Sequence, residues 1–271
     1  MKISCLPVSL FPDFEQNRYS VAEWARDAKR IGLDGIDISI VHVKNHTPAY
    51  LSRLKEQLKA EGIPVVMATT YPDFTHPSRE QRDRELDYLK RDIALCDELG
   101  IRYLRVLAGQ AHPGVQREGG VRHAIEYLKR AGEFARKYST KLLFENHAKP
   151  SAWNHFDFSF PLDVFMQVFE GIRDTGIRLN FDIGNVVALG FDPLDVYEKL
   201  KDWVETVHIS DMKEKGKFAP AAIGEGVAPI RQFLDILKGQ RFDGWISIEE
   251  ASGNGVEGIE NALKFVKNGL S

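Results

Sequence analysis

The stretch that decides the fold prediction is Lys141-Leu142-Leu143-Phe144-Glu145, a short apolar run that ends in a carboxylate. A predicted amphipathic helix at 121–138 precedes it, which is typical of a strand–helix repeat. The same alternation continues in both directions and gives predicted strands at 3–6, 35–39, 64–69, 103–108, 141–145, 178–183, 206–210 and 245–249. Eight strands that are each followed by a helix are the number that closes a parallel barrel. We therefore predict an α/β fold, a (β/α)8 TIM barrel.

The segments between the strands have helix signals. The predicted helices cover 21–31, 48–60, 78–99, 121–138, a segment that begins at Pro161, 193–201, 229–238 and 255–267. Gly100 follows the third of them as a C′ glycine, and proline is tolerated at a helix start. An open doubly wound sheet would favour a glycine fingerprint after the first strand, and residues 6–12 contain no glycine. No linker-like composition divides the chain, so one domain over residues 1–271 is expected.

Composition narrows the class of protein. The 271 residues are 43% hydrophobic and carry a net charge of −3, which disfavours a nucleic-acid backbone as partner. Cys5 and Cys96 are too few for a disulfide framework and indicate a reducing compartment. The N-terminus resembles no secretory signal, and no apolar stretch of about 18 residues predicts a membrane span. We expect a cytoplasmic protein with no membrane partner.

Four consecutive predicted strands end in residues with metal-ligand chemistry: Glu145, Asp182, His208 and Glu249. They lie about one βα unit apart along the chain, and chemistry in this fold sits at the C-terminal ends of the strands. Three carboxylates in one cavity would repel one another unless a cation lay among them. Three oxygen ligands and one imidazole suit Mn²⁺, Mg²⁺, Co²⁺ or Zn²⁺. We predict one divalent metal ion, with Mn²⁺ as the first expectation.

Glu249 and Glu250 compete for the last position. Side chains alternate along a strand, so Glu249 shares a face with Trp245 and Ser247, while Glu250 shares one with Ile246 and Ile248. The apolar face should meet the surrounding helices. Glu249 is therefore predicted to point inward.

Several short motifs then mark a resemblance. In order along the chain they are Glu145-Asn146-His147, Asp182-Ile183-Gly184-Asn185, His208-Ile209-Ser210-Asp211-Met212-Lys213, Gly224-Glu225-Gly226 and Ile246-Ser247-Ile248-Glu249. With these motifs the chain resembles the xylose-isomerase-like barrel superfamily, in its sugar-phosphate isomerase/epimerase branch. That branch includes hydroxypyruvate isomerases, ketose 3-epimerases and inosose dehydratases. The motifs specify the superfamily better than the substrate.

The resemblance implies that Glu145, Asp182, His208 and Glu249 bind the metal. It also implies that Glu145 and Glu249 form the catalytic acid–base pair. The expected reaction is isomerisation or epimerisation of a keto or aldo sugar, or a small hydroxy-carbonyl compound, by proton transfer through a metal-stabilised enediolate. The expected partner is a small-molecule carbohydrate, and a homo-oligomer is left open.

Five further residues are candidates for substrate binding. His147 follows the fifth strand, and Asn185 stands where many members of the superfamily have a histidine. Lys213 follows the seventh strand, and Arg105 on the fourth strand can reach the cavity or pair with a carboxylate. Trp153 belongs to an aromatic loop at 146–160 that is predicted to cover the substrate. Each of these side chains has a structural alternative as a loop anchor, a surface charge or a packing residue.

Asp211 is a candidate to orient His208, because a metal-bound imidazole commonly has a carboxylate partner. Glu225 lies in a glycine turn, and its contact with substrate is left open.

Three other functions remain at this stage. A lyase or dehydratase that acts on an inosose or a 3-keto sugar shares the first proton abstraction. An endonuclease IV-like repair enzyme is disfavoured, because its trinuclear zinc site needs more histidines than the eight present, and residues 213–223 contain none. A non-catalytic sugar-binding barrel is disfavoured by the presence of both glutamates.

Overall fold

A computed structural model of the chain describes residues 1–150 and 152–271. Eight parallel strands form a nearly closed barrel, as predicted. They are β1 (Lys2–Leu6), β2 (Ile36–Ser39), β3 (Val65–Thr69), β4 (Tyr103–Val106), β5 (Lys141–Glu145), β6 (Arg178–Asp182), β7 (Val204–Ile209) and β8 (Trp245–Glu249). Their order in the sheet is β1-β8-β7-β6-β5-β4-β3-β2.

Helices follow the strands. They are α1 (Phe11–Glu15), α2 (Val21–Ile31), α3 (Pro48–Glu61), α4 (Arg79–Leu99), α5 (Arg117–Ala135), α6 (Leu162–Ile172), α7 (Ile183–Ala188), α8 (Pro193–Leu200), α9 (Ile230–Gly239) and α10 (Gly255–Leu270). In α2, Ser20 and Glu23 form a capping box, and Gly32 ends the helix in the left-handed region with φ 90°. Among the described residues, no helix combines the length and apolarity that crossing a bilayer requires.

Register within the sheet sets the height of the functional residues. Ser4 of β1 pairs with Ser247 of β8, and Ser247 pairs with His208 of β7. On the other side, Glu145 of β5 pairs with Asn180 of β6. Because register partners on parallel strands point the same way, each set of partners lies at one level of the barrel.

The chain packs as two compact units, residues 1–67 with 181–271 and residues 68–180. In the first, the fully buried Trp24 donates from Nε1 to the Asp37 carbonyl over 3.3 Å. In the second, Phe144 of β5 stacks on Phe165 of α6 with ring centroids 5.0 Å apart. Each unit therefore contains a buried aromatic side chain that joins a helix to a strand. The assignment of residues 1–271 to one domain stays a prediction.

The structure corrects several element boundaries. The predicted strand 178–183 ends at Asp182, because Asp182 caps a helix that begins at Ile183. The predicted helix 121–138 instead covers Arg117–Ala135, and β4 ends at Val106. Helices α1 and α7 were not predicted, nor was the antiparallel pair Asp211–Met212 and Pro220–Ala221.

Candidate metal centre

Glu145 ends β5 as a fully buried carboxylate whose two oxygens both have partners. Asn180, its register partner on β6, donates from Nδ2 to Oε1 over 2.7 Å. Arg105 of β4 places Nε 3.1 Å from Oε2, and its side chain is 2% exposed. The Asn180 hydrogen bond and the ion pair with Arg105 together fix the position of the carboxylate.

Arg105 is thus held beside the site. Its guanidinium lies over the Tyr71 ring, 5.2 Å from the centroid, and Nη1 donates to the Thr70 carbonyl over 3.4 Å. Of the two roles predicted for Arg105, the structure shows the pairing with a carboxylate. Substrate binding by Arg105 stays a prediction.

Asp182 ends β6 and caps α7 at the same time. Its Oδ1 accepts a hydrogen bond from the Asn185 backbone N–H over 2.7 Å and another from Ser210 Oγ over 2.8 Å. The second oxygen, Oδ2, lies 4.0 Å from His208 Nδ1. One oxygen therefore anchors the carboxylate, while the other faces the imidazole.

The close approach of Ser210 explains why glycine stands at position 184 in the Asp182-Ile183-Gly184-Asn185 motif. A Cβ at this position would lie 2.2 Å from Ser210 Oγ and 3.0 Å from the Ser210 carbonyl group. Only glycine leaves room for the serine that holds Asp182. The glycine of the motif is therefore required so that Ser210 can pack against it and donate to Asp182.

His208 and Glu249 contact each other directly. His208 Nδ1 lies 2.7 Å from Glu249 Oε2, and the imidazole is fully buried while the Glu249 side chain is 17% exposed. Glu250 is buried and binds the Ser252 backbone N–H over 2.9 Å through Oε1, together with the Ser9 hydroxyl through Oε2. Glu249, and not its neighbour, lies in the site.

The four predicted ligands come together. Glu145, Asp182, His208 and Glu249 each offer one ligand atom, and these atoms all lie within 4.8 Å of one another. In the described part of the chain, this is the one group of three or more acidic, histidine or cysteine side chains with such spacing.

The chemistry of this donor set fits a divalent cation. Three carboxylates meet at buried or nearly buried positions, and burying like charges together is costly unless a cation joins them. Carboxylate oxygens and an imidazole suit hard or borderline ions, and no cysteine lies among them. The cluster thus indicates a divalent metal site whose ion is not specified.

The other predicted site residues differ in exposure. Asn185, His147 and Trp153 are buried, with 4%, 7% and 6% of their surface exposed. Lys213 is exposed, and its backbone N–H donates to the Ala219 carbonyl over 2.8 Å. The substrate contacts proposed for all of these residues stay predictions.

The Asp211 carboxylate accepts hydrogen bonds from the glycine turn. Its Oδ1 accepts from the backbone N–H groups of Met212 and Ala228, and its Oδ2 accepts from those of Gly224 and Gly226. A Cβ on Gly226 would lie 2.2 Å from Asp211 Oδ1, which explains that glycine. The four described partners are all backbone amides, and a role in orienting His208 stays a prediction.

The loop at 146–160 is tied to the loop after β4; Ser151 lies outside the described residues. Gln110 Oε1 accepts hydrogen bonds from the backbone N–H groups of Asn154 and His155, over 2.9 and 3.2 Å. Gln110 Nε2 donates to Asp73 Oδ2 over 3.1 Å, and that oxygen also lies 2.7 Å from His112 Nε2. The predicted covering loop is thus a braced segment.

Two supporting residues were missed from the sequence. Asn180 holds Glu145, and Gln110 holds the loop, yet neither lies at a strand end. The position of Asn180, two residues before Asp182 on the same strand face, was the available signal for an inward side chain. Gln110 lies in a loop whose course periodicity does not predict.

Comparison with known proteins agrees with this geometry. A profile of the family described as xylose isomerase-like TIM barrel matches residues 25–269. The chain belongs to this family. The barrel described above is the fold that this family's description names.

Two curated relatives of this xylose isomerase-like barrel are named for different activities. The probable endonuclease 4 of Aquifex aeolicus (strain VF5) is 28% identical over 203 residues, which cover 69% of this chain and 70% of the relative. The inosose dehydratase of Lacticaseibacillus casei is 22% identical over 159 residues, which cover 52% of this chain and 50% of the relative.

Solved structures share the fold across the whole chain. An IolI protein with a bound zinc atom has a TM-score of 0.81 at 17% identity, with 100% of this chain and 98% of that chain covered. The probable 3-DHS dehydratase AsbF of Bacillus anthracis has a TM-score of 0.80 at 15% identity, with 99% of both chains covered. The 3-keto-D-glucoside 4-epimerase YcjR of E. coli has a TM-score of 0.78 at 17% identity, also with 99% of both covered.

Proposed function

We propose that this protein is a divalent-metal-dependent isomerase or epimerase of a hydroxy-carbonyl sugar. The observation that carries the proposal is the convergence of Glu145, Asp182, His208 and Glu249 within 4.8 Å of one another. The zinc atom named for the IolI structure and the epimerase activity named for YcjR support it, since both proteins share the fold. Mn²⁺ is the first ion to test.

The two glutamates differ in a way that suits an acid–base pair. Glu145 is fully buried and held by Asn180 and Arg105, whereas Glu249 is partly exposed at the end of β8. In the proposed reaction, one glutamate removes the proton from the carbon next to the carbonyl. The other returns a proton to the neighbouring carbon or to the opposite face. A divalent ion held by the four residues would polarise the carbonyl and stabilise negative charge on the substrate oxygens.

The proposal is tested first by metal analysis of the purified protein and then by NMR. Ketohexoses, an inosose and a 3-keto-glucoside are incubated with the protein in D₂O. Deuterium incorporation next to the carbonyl is expected, and the product distinguishes epimerisation from elimination. Absence of metal binding with all four candidate ions, or absence of exchange with every substrate, would contradict the proposal.

Glu145→Gln and Glu249→Gln are each expected to lower the exchange rate by at least about 100-fold. Glu133→Gln is the matched control, because Glu133 is exposed on α5. Unchanged exchange in Glu145→Gln would indicate a different base. Sugar binding by the wild type without any turnover would instead indicate a non-catalytic binding barrel.

A lyase is the second candidate. Two of the compared proteins are named as dehydratases, the inosose dehydratase of L. casei and AsbF. The same base can remove the proton, and the second glutamate can then protonate a β-hydroxyl so that it leaves as water. Release of water from the inosose, seen as loss of a carbon-bound oxygen in the ¹³C spectrum, would select this reaction over epimerisation.

DNA repair is the third activity to test, since one relative is named a probable endonuclease 4. The net charge of −3 disfavours binding to a phosphate backbone. The described residues bring together one four-residue ligand group, which is small for a trinuclear site. No incision of a duplex with an abasic site is expected, and incision that chelators abolish would overturn the proposed sugar chemistry.

A further inference from the structure

A buried carboxylate lies in the barrel outside the proposed acid–base pair. Asp37 of β2 is fully buried, and its Oδ2 accepts hydrogen bonds from Ser4 Oγ over 2.9 Å and from the Ser247 hydroxyl. Its Oδ1 accepts from the Met67 backbone N–H over 3.1 Å. Asp37 thus joins β1, β2, β3 and β8 through polar contacts in a position where apolar side chains usually pack.

Register places this group beside the metal centre. Ser4 pairs with Ser247, and Ser247 pairs with His208, so three neighbouring strands present these residues at one level. Glu249 lies two residues further along β8, on the same face and one level closer to the strand ends. His208 therefore belongs to two layers: it contacts Glu249 above and shares its own level with the serines that bind Asp37.

Electrostatics agree with this placement. Burial raises the pKa of Asp37, while the Ser247 hydrogen bond, the charge of protonated His208 and the Ser4 hydrogen bond oppose the rise. The charge of His208 thus favours the ionised form of Asp37, in agreement with the register that places Ser247 between them. A carboxylate in the second layer around a metal-binding imidazole commonly fixes the orientation of the ring.

We infer that Asp37 is a positioning residue for His208: held by Ser4 and Ser247, it keeps the imidazole oriented with Nδ1 towards Glu249 and the other ligands. Asp37 touches neither substrate nor metal in this arrangement. The inference rests on the proposed metal centre. It adds Asp37, on β2, to the residues on which metal binding depends.

The test uses Asp37→Asn, which keeps the size of the side chain and an acceptor oxygen but removes the charge. Affinity for Mn²⁺ and Zn²⁺ is measured by calorimetry on the metal-free protein. A loss of about 10- to 100-fold is expected, the usual effect of removing such a partner. In parallel, the imidazole nitrogens of His208 are observed by ¹⁵N NMR without metal, with assignment from His208→Asn, and their signals are expected to shift.

Asp34→Asn is the matched control, because Asp34 is an exposed aspartate that accepts a bond from the Ile3 backbone N–H, before β2 begins. It should change neither metal affinity nor the His208 signals. Ser247→Ala removes one donor to Asp37 with little change in volume, so it should weaken metal binding in the same direction. It also serves as the decisive variant if Asp37→Asn fails to fold.

The outcomes separate the two proposals. If the wild type binds no metal, the proposed function is wrong, and the NMR signals alone then decide whether Asp37 orients His208. If the wild type binds metal but Asp37→Asn and Ser247→Ala bind it equally well with unmoved His208 signals, the role of Asp37 is wrong and the metal centre stands.

Discussion

Arg105 Nε lies 3.1 Å from Glu145 Oε2, with both side chains buried. An ion pair in this position is weak evidence for stability, because both charges have lost their water. Its value here is geometric, since Arg105 and Asn180 together hold both oxygens of a proposed catalytic carboxylate. The pair also makes the site sensitive to the loss of either partner.

Arg105→Met should destabilise the protein by about 3–5 kcal/mol, because it leaves the buried Glu145 carboxylate without its cation. Urea unfolding of the metal-free protein measures the change. Arg26→Met is the control, since the Arg26–Glu61 pair is largely exposed and should contribute at most about 1 kcal/mol. Equal effects of the two substitutions would contradict the importance assigned to the buried pair.

Gly184→Ala should weaken metal binding and destabilise the protein by about 1–3 kcal/mol, as overpacking usually does. The added methyl would meet Ser210, which donates to Asp182. Gly239→Ala places a methyl where nothing lies within 4 Å, so it should leave metal affinity unchanged. Calorimetric titration with Mn²⁺ compares the two. The expectation fails if Gly184→Ala keeps wild-type affinity.

Stability should rise with pH between about 4 and 6.5 because of His42. This residue stacks on Phe14 with ring centroids 4.1 Å apart, and burial, with the nearby Lys44 charge, lowers its pKa from 6.5 to about 4. The unfolded chain therefore binds a proton that the folded chain excludes in this window, and folding loses up to about 3 kcal/mol on acidification. Above pH 6.5 the contribution is constant.

His42→Phe keeps a ring in the stack and should remove this part of the pH dependence. The measurement is the free energy of unfolding in urea at pH 4.5, 5.5, 6.5 and 7.5. His46→Gln changes an exposed histidine and should follow the wild type throughout. A constant difference between His42→Phe and wild type at all four values would refute the assignment.

Metal should stabilise the fold by mass action. At a free ion concentration about 100 times the dissociation constant, the free energy of unfolding should increase by about 2.7 kcal/mol. Chelation should reverse the increase, and Asp182→Asn should abolish it. Asp195→Asn, an exposed aspartate on α8, should retain it. Thermal unfolding with and without Mn²⁺ reads the effect, and an identical shift in Asp182→Asn would place the ion elsewhere.

Much of the fold follows from periodicity. Short apolar runs alternate with amphipathic segments, and the positions where strands end located Glu145, Asp182, His208 and Glu249 in advance. Helix α7 was missed because Asp182 both ends a strand and caps a helix, and a strand prediction extends through the apolar Ile183. Local sequence does not reveal that a residue that ends a strand also caps the next helix.

Side-chain partners could not be predicted to the same degree. The pairing of Glu145 with Asn180 depends on the register of β5 against β6, and register follows from packing of the whole sheet. Asp211 illustrates the other difficulty. Its position suggests a partner for His208, which stays a prediction, and sequence gives no sign that the turn at 224–228 supplies backbone amides to its carboxylate.

The bracing of the 146–160 loop by Gln110 affects how substrate range can be engineered. Replacing this loop alone with that of another barrel would keep Gln110 and its bond to Asp73, but would remove the Asn154 and His155 backbone N–H groups that donate to Gln110 Oε1. Asp73, Gln110 and the loop therefore form one hydrogen-bonded unit. Chimaeras that exchange the three together should keep these hydrogen bonds, whereas those that exchange only the loop should keep them only if the new loop presents two backbone N–H groups to Gln110.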